Sequence, residues 1–148
     1  MLTKKAKYAL KAALYLARRE SEGSVLIAEI AASEKIPKKF LESILLTMKN
    51  RGILVSRKGR GGGYALARPS SQVSFGEIVR MMDGPLAPVP CVSATAYHRC
   101  EECASEESCE IRGVMQRVRD ASSAVLDATS LADAVRGNVP AGKPRHSK

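Results

Sequence analysis

Ile36-Pro-Lys-Lys-Phe-Leu41, followed sixteen residues later by Arg57-Lys-Gly-Arg-Gly-Gly-Gly-Tyr-Ala-Leu66, decides the fold of this chain. Pro37 interrupts one helix and suits the first turn of the next. The helix predicted over residues 37–50 turns Phe40, Leu41, Ile44, Leu45 and Met48 inward and leaves Lys38, Lys39, Glu42, Ser43, Thr47 and Asn50 outward. Upstream, Ile27-Ala-Glu-Ile-Ala-Ala-Ser-Glu-Lys35 reads as a helix of about two turns. Two short helices around a tight break, the second with long polar arms outward, describe a helix-turn-helix. Many helical hairpins share that pattern, so the glycine loop has to discriminate. Gly52-Ile-Leu-Val-Ser-Arg57 and Tyr64-Ala-Leu-Ala-Arg68 read as strands. The segment between them has no apolar side chain to bury, and its four glycines let the backbone take positive φ and approach another surface closely. Arg57, Lys58 and Arg60 are carried at the tip. A P-loop would need a Gly-Lys-Ser or Gly-Lys-Thr ending that opens a helix, whereas this loop continues as strand. A basic hairpin after a helix-turn-helix is a wing, able to reach a minor groove while the second helix enters the major groove.

The fold class expected is therefore mainly α with a small β-hairpin wing: a winged helix-turn-helix domain over residues 1–83, then a long C-terminal dimerisation helix. Residues 2–19 lack Gly and Pro, and Leu2, Ala6, Ala9, Leu10, Ala13, Leu16 and Ala17 recur at helical spacing, with Thr3 as a candidate cap. Ser74 and Glu77 are spaced as a capping box before Phe75, Ile78, Val79 and Met82, which complete the core. Asp83-Gly-Pro-Leu-Ala-Pro-Val-Pro90 marks a boundary.

The charge distribution agrees with this division. The 148 residues carry a formal +9, but residues 1–70 hold 15 basic against 5 acidic side chains, and residues 71–148 hold 9 against 10. A compact basic half beside a near-neutral one points to a polyanionic partner, double-stranded DNA, for the first half only. No apolar run approaches the roughly 18 residues of a membrane span, and no secretory leader is evident, so a cytoplasmic protein with no membrane partner is expected. No nucleophile–base pair or cofactor fingerprint suggests an enzyme.

All four cysteines, Cys91, Cys100, Cys103 and Cys109, fall within 19 residues, in the segment 84–110 expected to form a sensor loop. In a cytosolic chain, metal or redox chemistry takes precedence over structural disulfides. Thiolates suit zinc and iron–sulphur clusters. A structural zinc site usually has two chelating pairs, and only Cys100 and Cys103 form one, so a cluster (2Fe–2S or 4Fe–4S) is preferred, ahead of zinc or metal-free redox thiols. The acids Glu101, Glu102, Glu106, Glu107 and Glu110 burden either metal. His98 is a further possible ligand, weighed against an ordinary solvated histidine.

A helix predicted over residues 106–129 repeats Ile111, Met115, Val118, Ser122, Val125 and Thr129 in alternating steps of four and three, the spacing of a helix–helix seam. A homodimer through residues 106–136 is expected. Leu131-Ala-Asp-Ala-Val135 reads as a short coda, and residues 137–148 as a disordered basic tail.

This order of features resembles the Rrf-type regulators, the group of IscR, NsrR, RirA and CymR, over about residues 1–136. Residues 36–41, the wing at 59–64, and Cys91, Cys103 and Cys109 carry the resemblance. It implies a homodimeric bacterial transcription factor on a palindromic operator, whose binding in many members is tuned by an iron–sulphur cluster. By motif, Lys39, Glu42 and Ser43 fall where the recognition helix meets base edges, and Lys58 and Arg60 where the wing enters the minor groove. Lys38 and Arg57 match phosphate contacts, and Tyr64, closing the wing, is counted with the DNA-binding residues. The chain departs from the family pattern in the 11 residues between Cys91 and Cys103, with Cys100 inserted among them. It also lacks the first-helix acid or histidine that completes the ligand set in some relatives, and has Arg112 where others place a histidine after the last cysteine. Cys100 is expected to replace those donors, giving a four-cysteine site.

Overall fold

The computed structural model describes residues 2–139, and the expected tail beyond 139 lies outside them. Helix α1 (Lys4–Arg18) buries Ala6, Ala9, Leu10, Ala13, Leu16 and Ala17 along the predicted stripe. Thr3 caps it, its hydroxyl accepting from the Ala6 N–H at 3.1 Å. Leu2, expected to head the stripe, precedes the helix and is half exposed.

Helices α2 (Ile27–Glu34) and α3 (Lys38–Asn50) form the helix-turn-helix. Pro37 is the residue before α3 rather than its first turn. The turn is made by Lys35, whose left-handed φ of 54° ends α2. Strands β1 (Leu54–Arg57) and β2 (Gly63–Leu66) pair antiparallel, with Leu54 opposite Leu66 and Arg57 opposite Gly63. Val25 adds a third backbone segment, exchanging two 2.8 Å hydrogen bonds with Tyr64. That close crossing requires Gly63: its φ is 129°, and a Cβ there would collide with the Val25 carbonyl.

Helix α4 (Phe75–Asp83) packs on α1 and closes the core, with Ile78 and Val79 buried and Phe75 and Met82 partly so. Half of the expected capping box forms: Ser74 accepts from the Glu77 N–H at 3.1 Å, but the Glu77 carboxylate is held by Arg68 at 2.5 Å. Ile30, Leu41, Ile44, Leu45, Met48, Ile53 and Leu54 are fully buried around the helix-turn-helix.

Helix α5 (Glu110–Ala128) starts later than the predicted residue 106, because residues up to Ser108 are turn and Cys109 is the N-cap. A short α6 (Leu131–Val135) follows, started by a true capping box between Ser130 and Asp133. Hydrogen bonds from the Ser130 backbone and hydroxyl hold the Asp133 carboxyl below the ordinary aspartate range. Leu131 is fully buried in the same core as α1 and α3, so the C-terminal coda returns to the N-terminal unit.

Lys35 is the only non-glycine residue with positive φ among the described residues, a conformation that crowds Cβ against the backbone. Lys35→Gly should raise the free energy of urea unfolding by about 0.5–1 kcal/mol, glycine's larger unfolded-state entropy offsetting part of the relief. Unchanged or lower stability would show that the turn tolerates lysine without strain.

Candidate nucleic-acid interface and cysteine loop

The apolar side of α3 is spent on the core, which fixes what its other side presents. Lys38, Lys39, Glu42 and Ser43 all lie exposed on the first two turns. Ser43 Oγ donates to the Phe40 carbonyl at 2.9 Å and Thr47 Oγ1 to the Ser43 carbonyl at 3.0 Å, so both hydroxyls offer only lone pairs outward. On the hairpin, Arg57, Lys58 and Arg60 are exposed at and just before the tip. Tyr64 differs from them: its ring is half-buried against the core, and its backbone is engaged with Val25.

The cysteine loop sits at the far end of α5. A single 3-10 turn (Pro90–Val92) carries Cys91, with Val92 buried beneath it. Arg119 on α5 holds this turn in place by donating from Nη1 to the Val92 carbonyl at 2.5 Å, while its Nε and Nη2 bind Asp120. Cys109 Sγ caps α5, accepting from the Arg112 N–H at 3.4 Å. Between them lies a cleft of about 320 Å³ lined by Cys91, Cys100 and Cys109 together with His98, Ile111 and Arg112. Cys103 lies outside the lining, in the turn where its N–H donates to the Cys100 carbonyl at 3.1 Å.

All four cysteines are free thiols. Among the described residues, no three His, Cys, Asp or Glu side chains converge closely enough to hold a metal ion. The structure thus brings three of the four expected ligands to one cleft without closing a coordination shell. Two features suit an anionic thiolate-bound group. Three of the donors are soft sulphur, with His98 and Glu101 also lining the cleft, and Arg112 Nε is buried with no hydrogen-bond partner, Glu106 standing 4.0 Å away. Glu106 also accepts a hydrogen bond from the Tyr97 hydroxyl, and this bond holds the phenol above its ordinary pKa.

Sequence reading missed the fastenings that tie loop to helix and helix to domain. Arg119 is one. Arg80 of α4 is the other, making a two-pronged pair with Asp127 near the end of α5 at 2.5 and 2.8 Å. Its guanidinium is held protonated even more firmly than usual by that hydrogen-bonded carboxylate. Gly76 lets α5 come close, since a Cβ there would strike the Asp127 carboxylate. Only the Gly at 76, odd within a short helix, could have hinted at this from sequence.

A small helical domain with an antiparallel hairpin after its second short helix defines a winged helix. The chain matches the Rrf2 family of iron-dependent transcriptional regulators over residues 2–137, and it belongs to that family. It is 44% identical over 146 residues, 97% of each chain, to an rrf2-like helix-turn-helix-type protein of Rhodobacter capsulatus. Its structure is similar to that of CymR, the global cysteine regulator of B. subtilis, with a TM-score of 0.78 and 28% identity over 93% of this chain and 97% of the other. The fold also matches T. potens IscR, with a TM-score of 0.73 and 24% identity over 93% of this chain and 87% of the other. Among the described residues no helix is long and apolar enough to cross a membrane.

Arg119→Met keeps an unbranched stem but removes the charged bond to the Val92 carbonyl. Loss of one such bond, worth about 1.5 kcal/mol, should speed alkylation of Cys91 roughly tenfold in mass-spectrometric labelling, with Cys100 unaffected. Equal Cys91 rates in both proteins would show that Arg119 does not hold the turn.

Proposed function

We propose that this Rrf2-type transcriptional regulator is a cytoplasmic homodimer that grips a palindromic operator with α3 and the wing of each copy. Its DNA affinity is tuned by an iron–sulphur cluster held on the cysteine loop. The observation that supports the second half is the shared cleft: Cys91, Cys100 and Cys109 all line it, beside the unpaired Arg112 N–H.

On the DNA side, Lys39, Glu42 and Ser43 are the base-reading residues, since Glu accepts from cytosine and Lys donates to guanine. Lys38 and Arg57 hold phosphate, and Lys58 and Arg60 enter the minor groove. Tyr64 belongs to this surface as the support that seats the wing on the core. The dimer forms along α5, where Ile111, Val114, Val118 and Val125 are all substantially exposed. With Ala121 these make an unbroken three-four repeat, one position away from the seam expected at Met115 and Ser122, which are half-buried on the chain's own side. Thr129, expected to end the seam, is buried within its own domain.

A bound cluster supplies a one-electron redox centre and a multidentate anchor for thiolates. Cys91, Cys100 and Cys109 from the cleft, with Cys103 from the adjoining turn, would hold the group, and Arg112 would offer it a cationic N–H. Ordering of residues 91–109 then fixes how α5 leaves the winged domains, and with it the spacing of the two half-sites. Effector and DNA affinities are reciprocally linked. A second reading, a metal-free thiol-redox regulator, draws support from the exposed free thiol of Cys100 and the unconverged ligand set. A zinc-stabilised regulator is the third.

Anaerobically purified protein should be brown, with visible charge-transfer absorption and stoichiometric iron and sulphide. Colourless protein containing zinc, or metal-free protein that changes mass on mild oxidation, selects the other readings. Cys103→Ala, reconstituted with iron and sulphide, should lose the difference in operator affinity between the loaded and unloaded states seen for wild type. Persistence of that difference removes Cys103 from the switch. Lys58→Ala should weaken operator binding and make the plot of log affinity against log salt shallower, by about one unit for each phosphate it no longer neutralises.

A further inference from the structure

The outer face of α3 carries one group that neither the core nor a phosphate backbone explains. Leu46 is 51% exposed, in the third turn of the helix, while its neighbours Ile44, Leu45 and Met48 fill the core completely. Counting by helical neighbours, Leu46 lies next to Glu42 and Ser43 on one side and Lys49 and Asn50 on the other, with Lys39 two turns before it. It therefore continues the row of outward residues assigned to base reading.

The surroundings of Leu46 limit what it can meet. Lys49 lies one turn beyond it and Lys39 two turns before it, both exposed, with the exposed Glu42 beside it, and the basic wing belongs to the same domain. An apolar protein partner would have to desolvate those cations, which is costly. Helix α3 also lacks a second exposed large hydrophobic residue to widen the spot into a docking patch. A polyanion that carries an isolated apolar group at the depth a helix reaches is a better match. In the major groove of DNA that group is the C5 methyl of thymine, the apolar feature that helps separate A·T from G·C pairs.

We propose that Leu46 reads thymine through its C5 methyl and is a specificity-determining residue of this regulator. The inference rests on the DNA-binding reading above and adds a position to it. The polar residues Glu42 and Ser43, whose hydroxyl proton is already committed to the Phe40 carbonyl, report hydrogen-bonding edges. Leu46 reports the methyl that hydrogen bonds cannot detect.

The test uses the full-length protein and an operator selected from a random duplex pool. Each thymine of a half-site is replaced in turn by deoxyuridine, which removes only the methyl, and affinity is measured by fluorescence anisotropy. Wild type should lose about fourfold at one or two positions per half-site, the worth of burying one methyl group. Leu46→Ala should bind the thymine and deoxyuridine duplexes equally while melting at the wild-type temperature, since the side chain is outside the core. Indifference of wild type at every thymine, or an undiminished preference in Leu46→Ala, would overturn the assignment while leaving DNA binding intact. Failure to select any sequence from the pool would overturn the DNA-binding reading and this inference with it.

Discussion

A short backbone clasp sets the geometry of the rest of the molecule. The Phe75 N–H donates to the Thr129 carbonyl at 3.0 Å and the Leu131 N–H to the Val73 carbonyl at 2.9 Å, so the entrance to α4 and the exit from α5 are joined directly. Ser74 and Ser130 pair between them, and each also caps a helix, Ser74 that of α4 and Ser130 that of α6. Leu131 then drops into the core beside α1. Buried backbone groups left unpaired would cost more than most side-chain contacts return, which makes this junction difficult to slide. The Arg80–Asp127 pair, admitted by Gly76, stiffens it from the side.

With its C-terminal end fastened, α5 behaves as a lever. Nineteen residues at 1.5 Å each place its N-terminus about 28 Å along the axis from the clasp. That distant end is where Cys109 begins the helix, while Arg119, midway along it, draws in the turn carrying Cys91. The loop is fixed to the helix at both of its edges, 91–92 and 109, and by little between them: Tyr97 reaches Glu106, Arg99 the Cys103 carbonyl at 3.3 Å, and the remaining residues are mostly exposed turn. A segment held at its ends and slack in its middle is suited to being ordered by a ligand.

Much of this is legible in the sequence because it is local. The break at Ile36-Pro37, the wing glycines and the crowding of cysteines into 91–109 each declare themselves within a few residues, and the helix-turn-helix and hairpin they predict are present within a residue or two. What escapes is long-range. That α6 belongs to the N-terminal core depends on Val73 meeting Leu131, 58 residues apart, and nothing in either neighbourhood encodes the pairing. The outward row of α5 keeps Ile111, Val118 and Val125 of the expected seam but has Val114 and Ala121 in place of the half-buried Met115 and Ser122, because a heptad pattern does not say which face the chain itself covers. On the candidate site, the exposed basic side chains of α3 and the wing follow from composition. Tyr64, read as opening the second strand and counted with the DNA-binding residues, has its ring half-buried against the core: an aromatic residue opposite Ser56 and bridged to Val25 has more to gain there than in solvent. Leu46 belongs to neither the inward nor the outward set read from the sequence, and its 51% exposure beside a filled core is what places it outward.

The separation of charge also constrains how the two ends can communicate. Five glutamates lie between Glu101 and Glu110, four of them exposed, whereas the positive excess of the chain is confined to residues 1–70. Duplex DNA is repelled by the first region and attracted by the second, and exposed charges beyond about 8 Å act only weakly at physiological salt. The cysteine loop is therefore a poor direct contact for the phosphate backbone, and its acids would oppose one. Any influence of the loop on α3 or the wing has to be mechanical, carried along α5 into the clasp, across the exposed row of α5 to a second copy, or back through residues 84–90, where Leu86 packs on the core. The first two of these routes pass through the same helix. A change that loosens its C-terminal anchoring, at Arg80, Asp127 or Gly76, should weaken the coupling of the loop to the winged domain without touching a cysteine or an exposed residue of α3 and the wing.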